Sequence, residues 1–134
     1  MSPQHKVGIV LVSHSAALAE GAAQLAKQVS GGAVAVFPAG GTDDGRLGTS
    51  IDKVQRAVRL ADSGAGTVII PDLGSSVLTV RALLAEPGDL PMPIVLADGP
   101  FVEGAVAATV TAAAGADIKV VQAAAEEARD ARKL

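Results

Sequence analysis

Short apolar runs alternate along the chain with longer segments in which apolar residues recur every three or four positions. Four of the runs are too short to favour a helix and are typical of buried β-strands: residues 6–12, 33–37, 66–71 and 93–97. Five longer segments have helical spacing or a high alanine content: residues 16–29, 49–62, a segment that ends at 85, 100–114 and 117–132. The alternation predicts a parallel sheet with helices on both faces.

Polar residues just before these segments indicate where the helices begin. Ser15 is expected to cap the first helix, because a serine hydroxyl can accept a hydrogen bond from a free N–H group of the first turn. Thr49 and Asp52 resemble a capping box at the start of the second helix. Ser75 or Ser76 is expected to cap the third helix in the same way as Ser15 caps the first.

Length and composition favour one globular domain. The chain has 134 residues, of which 49% are hydrophobic and 19% are charged, a balance that is too apolar for a disordered protein. No repeat, low-complexity tract or linker divides the sequence. We therefore expect a single three-layer α/β domain over residues 1–134, with a four-stranded parallel sheet in the strand order 2-1-3-4.

Charge, aromatic content and cysteine content exclude several classes of protein. The formal net charge is −3 and aromatic residues make up only 1%, so we expect no nucleic-acid binding. Without cysteine, the chain has no thiol nucleophile, disulfide or thiolate zinc site. No segment is apolar enough to span a membrane, and residues 1–6 lead into the first strand without a cleavage region. We therefore expect a cytoplasmic protein with no membrane span.

One histidine and one aspartate lie at the carboxyl ends of predicted strands, where an open parallel sheet binds its ligands. His14 follows the first strand and precedes a helix whose N-terminus favours an anion, and Asp72 follows the third strand. Such a histidine can be a nucleophile that carries a phosphoryl group, provided that an acceptor such as Asp72 fixes the tautomer of its ring. The alternative is that His14 forms only local hydrogen bonds and that Asp72 is a turn or capping residue.

The glycine-rich loop at residues 38–48 and the residues beside the candidate pair could hold a phosphoryl group. We expect these contacts from five residues: Ser15, Gly41, Thr42, Gly74 and Ser75. The loop is not a Walker motif, because Arg46 stands where Gly-Lys-Ser/Thr is required, and a flexible surface loop is the alternative. The chain also lacks a hydrolase G-x-S-x-G motif, a dinucleotide fingerprint and a cluster of metal ligands, so we expect no metal site.

Three segments together resemble the mannose-family enzyme IIA domain of the phosphotransferase system. Residues 7–15 (VGIVLVSHS) and 18–21 (LAEG) resemble the start of that domain. Residues 41–50 (GTDDGRLGTS) and 72–76 (DLGSS) are similar to the branch that serves phosphoenolpyruvate-dependent dihydroxyacetone kinase. Leu73 stands where the mannose-transporter branch typically has tryptophan, which favours the kinase branch. The resemblance covers nearly the whole chain.

The resemblance implies a phosphohistidine relay. His14 would accept a phosphoryl group from the phosphorylated carrier HPr and pass it to ADP on the ADP-binding subunit of the kinase, and the resulting ATP would phosphorylate dihydroxyacetone. By the same analogy, Asp72 would hydrogen-bond Nδ1 and leave Nε2 as the phosphorylated atom. The resemblance also implies a homodimer with no permanently bound cofactor. The alternatives are a IIA component of a mannose-family sugar permease and a non-catalytic regulatory module with the same fold.

Overall fold

The structure is a computed structural model that describes residues 5–134, and it confirms the predicted alternation of strands and helices. Within these residues the strands are β1 (Gly8–Ser13), β2 (Val36–Gly40), β3 (Thr67–Pro71) and β4 (Ile94–Leu96). The helices are α1 (Ala16–Ser30), α2 (Ile51–Ala61), α3 (Gly74–Ala85), α4 (Phe101–Ala113) and α5 (Ile118–Glu127). Residues 1–4, on which the expectation of no signal peptide partly depends, lie outside the described residues.

The strands form one parallel sheet in the order β2-β1-β3-β4, as predicted. Helices α1, α4 and α5 pack on one face, against side chains such as Ile9 and Leu11, and α2 and α3 pack on the other, against Val10 and Ile69. Each of these fully buried side chains contributes roughly 1.5–3 kcal/mol to stability. β1 is buried along its whole length, which explains why its sequence is apolar without alternation.

The second strand occupies Val36–Gly40 and not residues 33–37, so its predicted position is wrong by three residues. The predicted strand ends before Pro38, because proline and the glycines after it usually mark a loop. β2 lies at the edge of the sheet, however, and only alternate N–H groups face β1. Gly41 N donates to Ser13 O, so Pro38 falls on the outer side and removes no hydrogen bond from the ladder.

The first helix has the predicted cap and the second does not. The Ser15 hydroxyl accepts a hydrogen bond of 3.2 Å from a first-turn N–H group of α1, which confirms its role. At α2 the N-cap is Ser50, so the predicted capping box of Thr49 and Asp52 is wrong. The Thr49 hydroxyl instead lies 2.6 Å from that of Thr79, which links the start of α2 to α3.

α3 begins at Gly74 without a side-chain cap, so the predicted cap by Ser75 or Ser76 is wrong. The residue at the N-cap position is Leu73, whose side chain has no polar atom. The hydroxyl of Ser75 faces His14 instead, and that of Ser76 donates to Asp72. The first-turn N–H groups of α3 are therefore left without a side-chain acceptor at the carboxyl end of the sheet.

The helices are short. The longest of them within residues 5–134 is α1, with 15 residues, and none is long and apolar enough to cross a membrane.

α5 ends earlier than predicted, because a 3₁₀ turn at Ala128–Asp130 replaces the last part of the helix expected over residues 117–132.

Side chains of α5 complete the outer edge of β4. Gln122 Nε2 donates a hydrogen bond of 3.2 Å to Leu96 O, and Glu126 Oε2 accepts one of 3.0 Å from Asp98 N. These backbone groups would otherwise be open to another strand. Two outward-facing backbone groups at and just beyond the end of β4 are thus bonded by side chains of α5.

Candidate active site

His14 and Asp72 lie side by side at the carboxyl end of the sheet. β1 and β3 are neighbouring parallel strands, and their register pairs Val12 with Pro71. The segments that follow β1 and β3 stay side by side beyond the sheet, since Asp72 N donates a hydrogen bond of 2.9 Å to Val12 O. His14 Nδ1 lies 3.0 Å from Asp72 Oδ1. The structure thus brings together the two residues that the sequence places at separate strand ends.

Five hydrogen-bond donors converge on the carboxylate of Asp72. Oδ2 accepts bonds of 2.9 Å from the Ser13 hydroxyl and 3.0 Å from His14 N. Oδ1 faces His14 Nδ1 and also accepts from the Ser76 hydroxyl and, at 2.7 Å, from Leu73 N. The Asp72 side chain is only 7% exposed, so these donors take the place of water. The carboxylate is therefore held in one orientation.

These contacts keep Asp72 ionised. Burial is the largest single influence on the pKa of this carboxyl and by itself raises it, because a buried charge is poorly solvated. The hydrogen bonds from Ser76, His14 N, Ser13 and Leu73 N act in the opposite direction and together outweigh burial. They lower the pKa of Asp72 from 3.8 to about 2, so the group is a carboxylate at neutral pH.

The ionised carboxylate fixes the tautomer of the neutral His14 ring. An unprotonated Nδ1 would place a lone pair 3.0 Å from a negative oxygen, so Nδ1 carries the proton and donates it to Asp72 Oδ1. The Ser76 hydroxyl also donates to Asp72 Oδ1, and its Oγ lies 3.2 Å from His14 Nδ1. Nε2 is therefore the unprotonated nitrogen, and it accepts a hydrogen bond from the Ser75 hydroxyl.

Nε2 belongs to the more accessible residue of the pair. The His14 side chain is 24% exposed, against 7% for Asp72. Ser75, the partner of Nε2, is exposed and lies in the first turn of α3, while His14 itself directly precedes Ser15, the N-cap of α1. Two helix N-termini, each with partial positive charge, therefore lie near the ring. The arrangement presents an oriented nucleophilic nitrogen beside groups that favour an anion.

The loop between β2 and α2 is attached to the backbone of the site at two points. Gly41 N donates a bond of 3.2 Å to the last carbonyl of β1, and Gly48 N donates one of 2.9 Å to His14 O. Thr42 bonds within the loop: its N–H group donates to Arg46 O at 2.8 Å, and its hydroxyl accepts from Arg46 N at 3.1 Å. The structure thus brings Gly41 to the site and engages Thr42 in a turn of its own.

Comparison with known proteins agrees with the fold. Residues 8–122 match the EIIA-man family, described as the PTS system fructose IIA component. The chain belongs to this family. Because the match includes β1, α1, β3 and α3, it covers every element that supplies a residue to the candidate site.

The curated relatives of this EIIA-man chain are DhaM subunits. The phosphoryl donor subunit DhaM of the PEP-dependent dihydroxyacetone kinase of Pantoea ananatis (strain LMG 20103) is 39% identical over 86% of the chain and 25% of that protein. The corresponding subunit of kinase 2 of Listeria innocua serovar 6a is 34% identical over 78% of the chain and 84% of that protein. The chain spans about a quarter of the length of the first curated relatives that it matches. By sequence it is an EIIA-man chain of the DhaM type.

A solved structure has the same fold. The crystal structure of the protein of unknown function EF1359 matches with a TM-score of 0.79 and 33% sequence identity, over 96% of this chain and 97% of that one. The family resemblance and the three-layer fold expected from the sequence are therefore both confirmed.

Two site residues of this EIIA-man chain are absent from the sequence prediction. Ser13 and Ser76 are both fully buried, and each hydroxyl donates to one oxygen of Asp72. The sequence assigns Ser76 to a helix cap and gives Ser13 no role. Their position was the available signal: Ser13 directly precedes His14, and Ser76 lies one helical turn after Asp72, both within otherwise apolar elements.

The donor groups of the site suit an anion better than a metal ion. Serine hydroxyls and backbone N–H groups at helix N-termini are typical phosphate contacts. Within residues 5–134 of the EIIA-man chain, no three histidine, aspartate or glutamate side chains lie close enough together to hold a metal ion.

Proposed function

We propose that this chain is a phosphohistidine relay for a dihydroxyacetone kinase. His14 accepts a phosphoryl group on Nε2 from the phosphorylated carrier HPr and passes it to ADP held on the ADP-binding subunit of the kinase. The observation that carries the proposal is the His14–Asp72 pair, in which Nδ1 lies 3.0 Å from the carboxylate and Nε2 faces the exposed hydroxyl of Ser75. The relatives named as phosphoryl donor subunits of PEP-dependent dihydroxyacetone kinase support this acceptor.

The first step forms a bond between Nε2 and phosphorus while the bond between phosphorus and the carrier breaks. Nδ1 keeps its proton, so the His14 ring gains positive charge as Nε2 becomes phosphorylated. The ionised Asp72, 3.0 Å from Nδ1, stabilises that charge. In the second step an oxygen of the ADP β-phosphate attacks phosphorus, Nε2 leaves with its electron pair, and ATP forms. The neutral ring with a protonated Nδ1 is restored.

Ser75 and the first turn of α3 are the proposed contacts of the phosphoryl oxygens. Ser75 already donates to Nε2, and its exposed hydroxyl can turn to a phosphoryl oxygen once Nε2 is substituted. Gly74 leaves open space, since a Cβ there would meet nothing within 4 Å. Ser15 is a further proposed contact through its hydroxyl, whereas Gly41 contributes less because its N–H group already donates to Ser13 O. Thr42 contributes least, because its polar groups bond within the loop.

A homodimer is part of the same proposal. Apolar residues lie on nearly every side of α3, and Leu78 on its outer face is 67% exposed. A helix that is apolar all round is normally buried, and a second copy of the chain would cover this one. Sedimentation velocity tests the proposal: a monomer at every concentration studied would contradict it.

A sugar permease component is the second candidate function. It is favoured by the description of the matching family as a fructose IIA component. His14 and Asp72 would then act as before, but the phosphoryl acceptor would be another protein of the permease and not ADP.

The two candidates are distinguished by the fate of the phosphoryl group. The chain is incubated with phosphoenolpyruvate, enzyme I and HPr, and acid-labile phosphate on His14 is measured. The ADP-loaded kinase subunit and dihydroxyacetone are then added. Labelling followed by formation of dihydroxyacetone phosphate supports the relay, and labelling without discharge favours the permease. No labelling rejects both.

A further inference from the structure

Ser13 is a buried hydroxyl whose partners all belong to the site. Its side chain is completely buried at the end of β1. The hydroxyl donates a bond of 2.9 Å to Asp72 Oδ2 and accepts one of 3.0 Å from Ser15 N. It therefore connects the carboxylate of Asp72, which follows the neighbouring strand β3, to the N-terminus of α1.

We infer that Ser13 is a positioning residue for the phosphoryl transfer proposed above, on which this inference rests. Ser13 supplies one of the two donors to Oδ2, and the other is His14 N. By fixing Oδ2, it keeps Oδ1 of Asp72 directed at His14 Nδ1.

Loss of the Ser13 hydroxyl would leave the orientation of the Asp72 carboxylate less fixed. The carboxylate could then rotate about its Cβ–Cγ bond, because Oδ2 would keep a single donor. Rotation lengthens the contact between Asp72 Oδ1 and His14 Nδ1, which is the contact that keeps Nδ1 protonated and Nε2 free. Removing one hydrogen bond to a charged group typically changes an equilibrium by roughly tenfold or more. We therefore expect Ser13→Ala to slow phosphorylation of His14 by roughly tenfold.

Thr67 provides a matched control for removal of a buried hydroxyl. It lies in β3 of the same sheet, is fully buried, and its Oγ1 has no hydrogen-bond partner among the described residues. Thr67→Val removes the hydroxyl with little change in volume. It should therefore alter neither the His14 tautomer nor the rate of phosphorylation.

The test has two readouts on the intact chain. One is the initial rate of His14 phosphorylation by phospho-HPr, and the other is the ¹⁵N chemical shifts of the imidazole in the unphosphorylated chain. Ser13→Ala should slow the rate and increase the tautomer protonated on Nε2. Ser13→Cys, which is close to serine in size but a weak donor, should act in the same direction if the alanine variant folds poorly.

The outcomes separate this inference from the proposed function. Wild-type rates and tautomers in Ser13→Ala would overturn the positioning role. Equal slowing by Thr67→Val would also overturn it, because any buried hydroxyl of the sheet would then have the same effect. A wild-type chain that is never phosphorylated would contradict the proposed function, whereas the tautomer measurement would still decide whether Ser13 orients the pair.

Discussion

Asp72→Asn tests whether hydrogen bonds hold the buried carboxylate in its ionised form. The substitution keeps the size of the side chain but replaces one oxygen by an amide nitrogen, which is itself a donor. Two donors face Oδ2 and three face Oδ1. Whichever oxygen is replaced, at least one backbone N–H group, that of His14 or of Leu73, meets another donor, because an N–H group cannot turn to accept as a hydroxyl can. This part of the destabilisation does not depend on pH.

A second part of the effect depends on pH and can be sized from the pKa of Asp72. The pKa falls from 3.8 to about 2 on folding, and a shift of nearly two units corresponds to about 2 kcal/mol. Because the folded-state pKa is the lower one, this stabilisation is present above about pH 4 and is lost as the pH falls through about 2. The side chain is 7% exposed, so solvent screens the effect little.

The assay is urea denaturation of the wild-type chain and Asp72→Asn at a series of pH values. Far-ultraviolet circular dichroism is the suitable probe, because the chain contains no tryptophan or tyrosine. We expect the wild-type free energy of unfolding to exceed that of the variant at neutral pH. The difference should shrink by about 2 kcal/mol as the pH is lowered from about 5 to about 2.

Asp89→Asn is the matched control. The Asp89 side chain is 90% exposed, and its ion pair with Arg59, at 2.8 Å, lies on the surface. Such pairs contribute little to stability, so this variant should follow the wild type at every pH. A loss for Asp72→Asn that stays the same across the pH range would refute the argument that the surrounding donors stabilise an ionised carboxylate.

Three further predictions concern the ring and the helix beside it. His14→Gln should abolish acid-labile phosphate without changing the circular dichroism spectrum, and full labelling would contradict the assignment of His14. Ser75→Ala should slow phosphoryl transfer by roughly ten- to a hundredfold, because a hydrogen bond to a charged group is lost, and an unchanged rate would exclude that contact. Gly40→Ala puts a Cβ 2.5 Å from Ser15 O and should cost ~1–3 kcal/mol in urea denaturation. Gly21→Ala in α1, where a Cβ meets nothing, should not destabilise the fold.

The sheet could be predicted from short-range pattern, and the central pair could be predicted from that pattern together with the strand order that is usual for such a sheet. Apolar runs identify the strands, and strand order places His14 and Asp72 at one edge. The limits of β2 could not be read in the same way. Pro38 fits there only because β2 is an edge strand and the proline lies on its outer side, which is a property of the assembled sheet.

The serines show the same limit within the site. A serine before an apolar helix is an N-cap by local rules, and Ser15 follows them. Ser76 does not cap its helix, because its hydroxyl donates to the charged carboxylate of Asp72, a partner that the local pattern does not reveal. The role of Ser13 likewise depends on a residue from another strand, 59 positions away in the chain.

The way α5 covers the edge of β4 affects how the chain folds while it is being synthesised. Gln122 lies 26 residues after Leu96, and Glu126 lies 28 residues after Asp98. At typical translation rates, Leu96 O and Asp98 N are therefore synthesised roughly 1–6 s before the side chains that bond them. A sheet that formed within that interval would have an open edge able to pair with other chains. Aggregation of this protein should thus be most sensitive to the speed of translation between β4 and the end of α5.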